Sequence, residues 1–159
     1  MSEPLAILGN TLPAATSEAI GRIMDLEAQV MTMPQLHFVT EHLLHAGMYA
    51  RTVRLAPGTL IVGVLVKIPT VLVVHGQAKV YAGEQWYDIE DYQVIPASAG
   101  RKQIFVAISS IEITMLFPTN ASSVAAAEAE FTDELDKLIS RRDGDDDLIV
   151  ITGVPACRE

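Results

Sequence analysis

The sequence predicts a mainly β protein, built as one antiparallel β-barrel or sandwich with a helix on each side of it. Short runs of β-branched and aromatic residues recur about every ten residues through the middle of the chain, separated by Gly, Pro, Asp or Ser. Apolar stripes with helical spacing precede and follow that region. Half of the 159 residues are hydrophobic, which is enough to bury the core of a single domain.

The first predicted helix covers about residues 17–31 and lies within an N-terminal extension, residues 1–46. Thr16-Ser17-Glu18 is typical of a helix start, because a hydroxyl there can accept a hydrogen bond from a free backbone N–H of the first turn. Glu18 places a negative charge at the positive end of the helix dipole. Apolar residues then follow at spacings of three and four, and Pro34 ends the pattern, so we expect an amphipathic helix.

The barrel is predicted over residues 47–118. After a turn at Pro57-Gly58, tight hairpins are expected at Gly76, Gly83 and Ser109-Ser110. The predicted strands are Leu60–Val66, Thr70–Val74, Ala78–Ala82, Trp86–Ile89, Tyr92–Ile95, Lys102–Ile108 and Ile111–Phe117.

A C-terminal helix is predicted within residues 119–142, at about 122–141, because apolar residues return to helical spacing there. Residues 143–159 form an acidic linker followed by a strand-like tail, Leu148–Thr152. An exposed apolar strand is an aggregation hazard, so the tail must pair with its own barrel edge or with a neighbour's. We expect the neighbour's edge, and therefore a homo-oligomer.

Composition and charge exclude several classes of partner. The formal net charge of −9 repels nucleic acid and anionic membranes, and no apolar run is long enough to cross a bilayer as a helix. The single cysteine, Cys157, allows no intramolecular disulfide. Met1-Ser2-Glu3-Pro4 lacks the basic start and apolar core of a signal peptide. We expect a cytoplasmic protein without membrane or nucleic-acid partners.

Several short motifs of the central region occur in a recognisable order. They are Pro57-Gly58, Val74-His75-Gly76, Ala82-Gly83-Glu84 with Trp86, and Ile95-Pro96-Ala97. In this order they resemble the cupin family of small β-barrels. Met48-Tyr49-Ala50-Arg51, and Pro118-Thr119 leading into an acidic helix, are similar to a group of small, uncharacterised, often phage-encoded cupin-like proteins. A phage origin would imply the host cytoplasm, and a role as a virion component or as a modulator of a host protein.

The resemblance also implies where a cupin metal site would lie. Cupin enzymes usually hold a divalent metal with an H-x-H strand, a downstream Glu and a final His, and residues two apart on a strand share one face. Here the corresponding strand offers Val64 and Val66 in one register, or Gly63 and Leu65 in the other. The other ligand positions fall near Pro69 or Thr70 and near Gly100 or Arg101. We therefore expect an apolar barrel interior and no cofactor.

A displaced metal site is the alternative that the histidines offer. His42 and His45 lie three apart beside Glu41, and on a helix two such histidines and a carboxylate could bind zinc. The segment His37–Leu44 fits either a strand or a helical turn. We favour the interpretation that these are polar residues of a capping segment, and that His75 is a surface residue at a strand end.

Five cations of the barrel region suggest a different ligand. Lys67, Arg101, Lys102, Arg51 and Arg54 could bind a carboxylate, a phosphate or a nucleotide at the barrel mouth through charge-assisted hydrogen bonds. The competing interpretation, which we favour, is that they are solubilising residues on exposed strand positions.

Three functional hypotheses remain. The chain lacks G-x-S-x-G, a phosphate-binding glycine loop, H-E-x-x-H and C-x-x-C, so we expect that it is not an enzyme. The favoured hypothesis is a non-catalytic cupin-like protein that acts by homo-oligomerisation and by binding a protein or small ligand. The alternatives are a binder of a small anionic ligand and a metal-dependent cupin enzyme that uses the displaced histidines.

Overall fold

Two β-sheets face each other around an apolar core. The computed structural model describes residues 3–4, 11–142 and 146–153. The strands are β1 (Glu3–Pro4), β2 (Glu41–His45), β3 (Met48–Leu55), β4 (Leu60–Val62), β5 (Thr70–His75), β6 (Ala78–Ala82), β7 (Gln85–Ile89), β8 (Tyr92–Ala97), β9 (Ile104–Ala107), β10 (Ile111–Pro118) and β11 (Leu148–Thr152). The helices are α1 (Ser17–Val30), α2 (Val124–Phe131) and α3 (Ile139–Arg142), with a 3-10 turn at Leu135–Lys137.

The strand order defines a cupin-like sandwich. One sheet has the order β1-β7-β6-β9-β4, and the other has the order β11-β2-β3-β10-β5-β8. The neighbouring strands are antiparallel except for β1 with β7 and β11 with β2. The mainly β fold with flanking helices that the sequence predicts is confirmed, and so is the hairpin at Gly83, which joins β6 to β7 with a positive φ angle of 63°. The predicted hairpins at Gly76 and Ser109-Ser110 are wrong, because these turns join β5 to β6 and β9 to β10, and each of them connects one sheet to the other.

Alternation along the strands builds the core. In β10 the side chains of Ile111, Ile113, Met115 and Phe117 are buried while their neighbours are more exposed, as expected when every second residue faces inward. Leu12, from the N-terminal extension, is fully buried in the same core and forms a bridge with Ala97 of β8.

Helix α1 begins where the sequence predicts. The Thr16 hydroxyl accepts a hydrogen bond from the Ala19 N–H at 3.1 Å, and Ala19 and Ile23 face the protein. Arg22 donates a hydrogen bond to the Tyr81 hydroxyl at 3.2 Å, which places the helix beside β6. None of the helices in the described ranges is long and apolar enough to cross a membrane.

The predicted C-terminal helix is divided. Helix α2 ends at Phe131, and Thr132 is extended, with φ −150° and ψ 150°. The Thr132 hydroxyl donates to the Leu65 carbonyl at 2.8 Å and accepts from the Glu134 N–H at 3.1 Å. These bonds hold the chain against the barrel, and the break lets both Phe131 and Leu138 reach the core. The helical spacing of apolar residues across about 122–141 therefore corresponds to two helices and a turn, and not to one helix.

Two strand predictions change in detail. Regular pairing of the predicted strand Leu60–Val66 ends at Val62, because the Gly63 carbonyl and the Leu65 N–H bond to the side chains of Lys102 and Glu134. Strand β2 begins within the segment His37–Leu44, which the sequence left open between a strand and a helical turn, so the helical alternative is wrong.

The tail strand exists and pairs with its own chain. β11 lies parallel to β2 at the edge of the six-stranded sheet, so the expectation that it adds to a neighbour's barrel instead of its own is corrected. The Leu148 N–H donates to the Thr40 carbonyl at 3.0 Å. Most of the predicted acidic linker, residues 143–145, and Cys157 lie outside the described residues.

Replacing Phe131 tests how strongly α2 is tied to the barrel. Phe131 is buried against Tyr49 and Phe117, with ring centroids 6.4 Å and 5.9 Å away. Phe131→Ala should lower the free energy of unfolding by about 3–5 kcal/mol, because it removes a buried ring and leaves a cavity. Chemical denaturation measures the change, and Val94→Ala, at a position 40% exposed, is the control. A loss for Phe131→Ala as small as that of the control would contradict this packing.

Candidate functional site

The space between the sheets contains a small cavity where the cupin resemblance places a metal. Its volume is about 120 Å³. Val64 and Val66 line it, as one of the two predicted registers requires, and Gly63 contributes to the same wall. The other apolar lining residues are Val53, Ile61, Val62, Leu72, Phe105, Ile113, Met115, Phe131, Leu138 and Ile139. Its polar lining residues are Arg51, Gln103 and Lys137, so the interior is mainly apolar.

The C-terminal segment closes one side of this cavity. Residues 135–142, here called the plug, place Leu138 in the core and Ile139 on the cavity wall. On the other side of the plug lies a groove of about 590 Å³ between α1, β4 and α3. Ile61, Val62, Lys137 and Ile139 line both spaces, so the cavity and the groove are adjacent.

One polar atom in the cavity wall has no partner. Gln103 lines the cavity and is 8% exposed, and its side-chain oxygen accepts no hydrogen bond from any described residue. A buried amide oxygen without a donor costs about 1–3 kcal/mol. A ligand that carries a hydroxyl or an amine would remove that cost.

Lys102, one of the predicted ligand-binding cations, lies inside the protein. Its side chain is fully buried, and its ammonium is 3.1 Å from Glu27, 3.4 Å from Glu134 and 3.0 Å from the Gly63 carbonyl oxygen. Burial alone would raise the pKa of Glu134. Hydrogen bonds from Lys137 and from the Leu65 N–H, together with the positive charges of Lys102 and Lys137, outweigh burial and hold this pKa below its usual range. Lys102 therefore joins α1 and the plug to the barrel.

Arg101 is also buried, but its partners are neutral. Its guanidinium donates to the Thr70 hydroxyl at 2.6 Å and to the Ser98 carbonyl at 2.9 Å. No carboxylate of the described chain lies within ion-pair distance of Arg101, and its Nε has no partner there. Burial lowers the pKa of Arg101 to about 10. The position that should hold the last cupin ligand carries a structural cation.

The remaining three predicted cations are engaged with acids at separate places. Arg51 lies 3.0 Å from Glu128 and 5.6 Å from the centre of the Phe131 ring. Arg54 contacts Glu41 at 2.6 Å and Glu112 at 3.0 Å, on the exposed face of the sheet. Lys67 pairs with Asp133 at 2.7 Å. The structure does not bring the five predicted cations together into one anion site.

The proposed metal set is likewise dispersed. On strand β2, His42 and His45 point to opposite faces: His42 is buried and His45 is exposed. Glu41 is engaged with Arg54. Across residues 3–4, 11–142 and 146–153, no group of three His, Cys, Asp or Glu side chains is placed to hold a metal ion. The other histidines are apart from these, with His37 2.8 Å from Asp146 and His75 beside the ring of Tyr92.

A buried network that the sequence analysis missed centres on His42. Its Nδ1 lies 2.7 Å from the Tyr49 hydroxyl, and its Nε2 lies 2.8 Å from the Asp147 carboxylate. A neutral imidazole satisfies both contacts when Tyr49 donates to Nδ1 and the Nε2–H donates to Asp147. Burial lowers the pKa of His42, and the Asp147 hydrogen bond offsets this only in part. Because Asp147 immediately precedes β11, the network ties the tail to the barrel.

The side of the six-stranded sheet that faces away from the core, here called the outer face, is apolar along its middle. One row of paired residues crosses all six strands and contains no charged side chain. From β11 to β8 it runs Val150, Leu43, Ala50, Leu116, Val71 and Pro96. Val150, Leu43 and Val71 are 50%, 41% and 41% exposed. Charged residues, including Arg54 and Glu112, lie at one end of the face.

The fold and its interior define a cupin-like protein, and solved structures of cupins are among those similar to it. An RmlC-like cupin from Methanocaldococcus jannaschii has 14% identity and a TM-score of 0.44, covering 52% of this chain and 80% of its own. A cupin superfamily protein from Desulfitobacterium hafniense has 12% identity and a TM-score of 0.45, covering 72% and 97%. A protein of unknown function from Streptococcus pyogenes has 15% identity and a TM-score of 0.42, covering 54% and 77%.

Sequence comparison adds no family or function. No family model matches the chain, and no curated protein matches it either. With TM-scores below 0.5, the similarities to solved structures assign no activity, ligand or partner to it.

The His42 network predicts a specific dependence of stability on pH. The pKa of His42 is lower in the folded protein than in the unfolded chain, where it is about 6.5. As the pH falls below about 6.5, the unfolded state takes up the proton first, so the free energy of unfolding should decrease until the folded pKa is reached. His42→Gln should remove this part of the decrease between pH 7.0 and 5.5, measured by chemical denaturation.

The exposed His75 provides the control, since His75→Gln should keep the wild-type slope. Equal slopes for the wild type and His42→Gln would contradict the prediction.

Proposed function

We propose that this protein is a non-catalytic, cupin-like protein that acts by self-association, with the outer face as its contact surface. The observation that carries the proposal is the uncharged row across all six strands. With strands spaced at about 4.8 Å, this row extends over about 24 Å. An exposed apolar area of this kind is typical of an interaction site.

A second copy of the chain is a partner that the uncharged centre of the outer face can accept. The net charge of −9 makes two copies repel each other, so a stable contact needs a surface whose centre is free of acids. The outer face meets this requirement, with Arg54 and Glu112 confined to its end. An apolar centre with a polar margin is the usual anatomy of a protein interface, and two such sheets can stack about 10 Å apart.

The contacts of the candidate residues support a non-catalytic role. The five cations are occupied by partners within the fold, which weakens the hypothesis of an anionic ligand. The two histidines of the alternative metal set lie on opposite faces of β2, which weakens the enzyme hypothesis. A phage origin is implied by the sequence resemblance alone, and the proposed self-association does not depend on it.

A second candidate function is the binding of a small apolar molecule in the barrel cavity. Gln103 is the specific observation in its favour, because its buried oxygen lacks a donor and the residue lies in a mainly apolar wall. An apolar cavity of about 150 Å³ accepts benzene, so a volume of about 120 Å³ is on the scale of a single aromatic ring. The ligand class is an uncharged apolar molecule with one hydroxyl or amine.

Charged substitutions on the outer face test self-association. Light scattering of the wild type should give a mass at least twice that of one chain, 17.2 kDa. Leu43→Lys and Val71→Lys should lower this mass, because each would bury an unpaired ammonium between the stacked outer faces.

Met33→Lys makes the same change at a position that is 61% exposed and lies outside the strands, so it should leave the mass unchanged. Circular dichroism checks that all three variants fold. A wild type of 17.2 kDa at concentrations of tens of micromolar would refute the proposal.

Phenol and toluene test the cavity. Phenol can donate to Gln103 and toluene cannot, so phenol should raise the melting temperature of the wild type more. At 100 times its dissociation constant, a ligand of the folded state stabilises it by about 2.7 kcal/mol. Gln103→Leu should reverse the preference, since it replaces the acceptor with an apolar side chain.

Gln93→Leu is the matched control, because Gln93 is also a buried glutamine with an unpaired oxygen but does not line the cavity. Equal responses of the wild type to the two ligands, or a reversal in Gln93→Leu as well, would count against this site.

A further inference from the structure

Strand β11 is an edge strand with apolar residues on both of its faces. Leu148, Ile149, Val150 and Ile151 are 56%, 54%, 50% and 44% exposed. The strand contains no proline and no charged residue, which are common devices that keep edge strands from pairing with other chains. Such an edge is suited to pairing with another strand.

The main chain of β11 presents a free edge of defined pattern. Leu148 pairs with Glu41 in the parallel register, and the Leu148 N–H donates to the Thr40 carbonyl. Alternate residues of a strand direct their N–H and C=O groups to opposite sides, so those of Ile149 and Ile151 point away from β2. In the described chain no strand lies beyond β11 to form hydrogen bonds with these outward N–H and C=O groups.

Contacts at both ends hold this edge in place. Asp147, just before the strand, bonds to the buried His42 at 2.8 Å. Thr152, its last residue, has its hydroxyl 2.9 Å from Nδ1 of His45. An ordered strand loses less conformational entropy on binding than a flexible tail would.

We propose that β11 pairs antiparallel with β11 of a second copy, across a two-fold axis at Val150. This inference goes beyond the proposed stacking of outer faces: edge pairing sets two outer faces side by side, and the stacking of two such pairs would give a tetramer. In this register Ile149 lies opposite Ile151 of the second copy, and the reverse, so all four outward groups on each strand form hydrogen bonds. A shift by two residues would place Ile149 or Ile151 opposite a residue outside β11.

The charges near the strand favour the same arrangement. Asp147 would lie opposite Gly153 of the second copy, which has no side chain. The two Asp147 residues would be about 20 Å apart along the paired strands. This exceeds the screening length of about 8 Å at physiological salt, so the acidic segments would not repel each other strongly.

The pairing also joins the two outer faces. Val150 is the β11 member of the uncharged row that crosses the six-stranded sheet. Beside Val150 of the second copy it makes one uninterrupted row from β8 of one copy to β8 of the other. The interface is isologous, which is the form that closed dimers require.

Engineered disulfides give a register-specific test, in the full chain with Cys157→Ser to remove the native thiol. Val150 would face Val150 of the second copy in a non-hydrogen-bonded pair, at a Cα separation of about 4.5 Å, which a disulfide can span. Val150→Cys should therefore form a covalent dimer with oxidised glutathione, seen on a non-reducing denaturing gel. Leu148→Cys alone should not, whereas an equal mixture of Leu148→Cys and Thr152→Cys should give a cross-linked pair.

The outcomes separate this inference from the proposed function. Cross-linking of Leu148→Cys alone as efficient as that of Val150→Cys would overturn the register. A wild type that is oligomeric by light scattering, with a folded Val150→Cys variant that does not cross-link, would overturn the edge contact and leave self-association through the outer face intact. A monomeric wild type would overturn both.

Discussion

The buried ammonium of Lys102 connects the three parts of this protein. It extends from the strand region of the barrel to Glu27 of α1 and to Glu134 beside the plug, 75 and 32 residues away in sequence. Lys137 contacts the same two carboxylates at 2.9 Å and 3.0 Å, so two cations and two acids form one network. Loss of one partner from a buried pair costs about 3–5 kcal/mol, because the remaining charge is left without compensation. The positions of both flanking segments therefore depend on this network.

Two cations, Arg101 and Lys102, lie where the cupin resemblance places the final metal ligand. Both are engaged with partners inside the fold, so neither belongs to the anion site that the sequence suggested. Arg101 and Lys102 are adjacent in sequence, and both are fully buried. Arg101 bonds to the loop at Ser98 and to Thr70 of β5, while Lys102 bonds outward to the helices. The cavity between them and the plug is lined mainly by apolar side chains, with Gln103, Arg51 and Lys137 as its polar members. Arg51 and Lys137 are both paired with acids, so the charges of this barrel mainly hold segments together.

Local patterns predicted most of the fold, whereas contacts between distant residues decided the site. Alternation of buried side chains along β10 and the hydroxyl cap of α1 are local, so the sequence indicates them. The division of the C-terminal helix at Thr132 is not visible in the apolar period, because it depends on a bond to the Leu65 carbonyl 67 residues away.

The same limit applies to His42. Its spacing from His45 suggests a shared helical face, but the local structure is a strand, and its decisive partner, Asp147, is 105 residues away. The Gln103 oxygen also has no local signal, since only the packed barrel shows that it lacks a donor.

The plug has a consequence for access to the cavity. Lys137 holds it to Glu27, and Arg142 at its far end donates to the Leu36 carbonyl at 3.0 Å. The plug covers one side of the cavity, so access from that side depends on local opening of this segment, and the free energy of such an opening depends on the contacts that are broken. Weaker contacts at either end of the plug would make that side of the barrel more accessible.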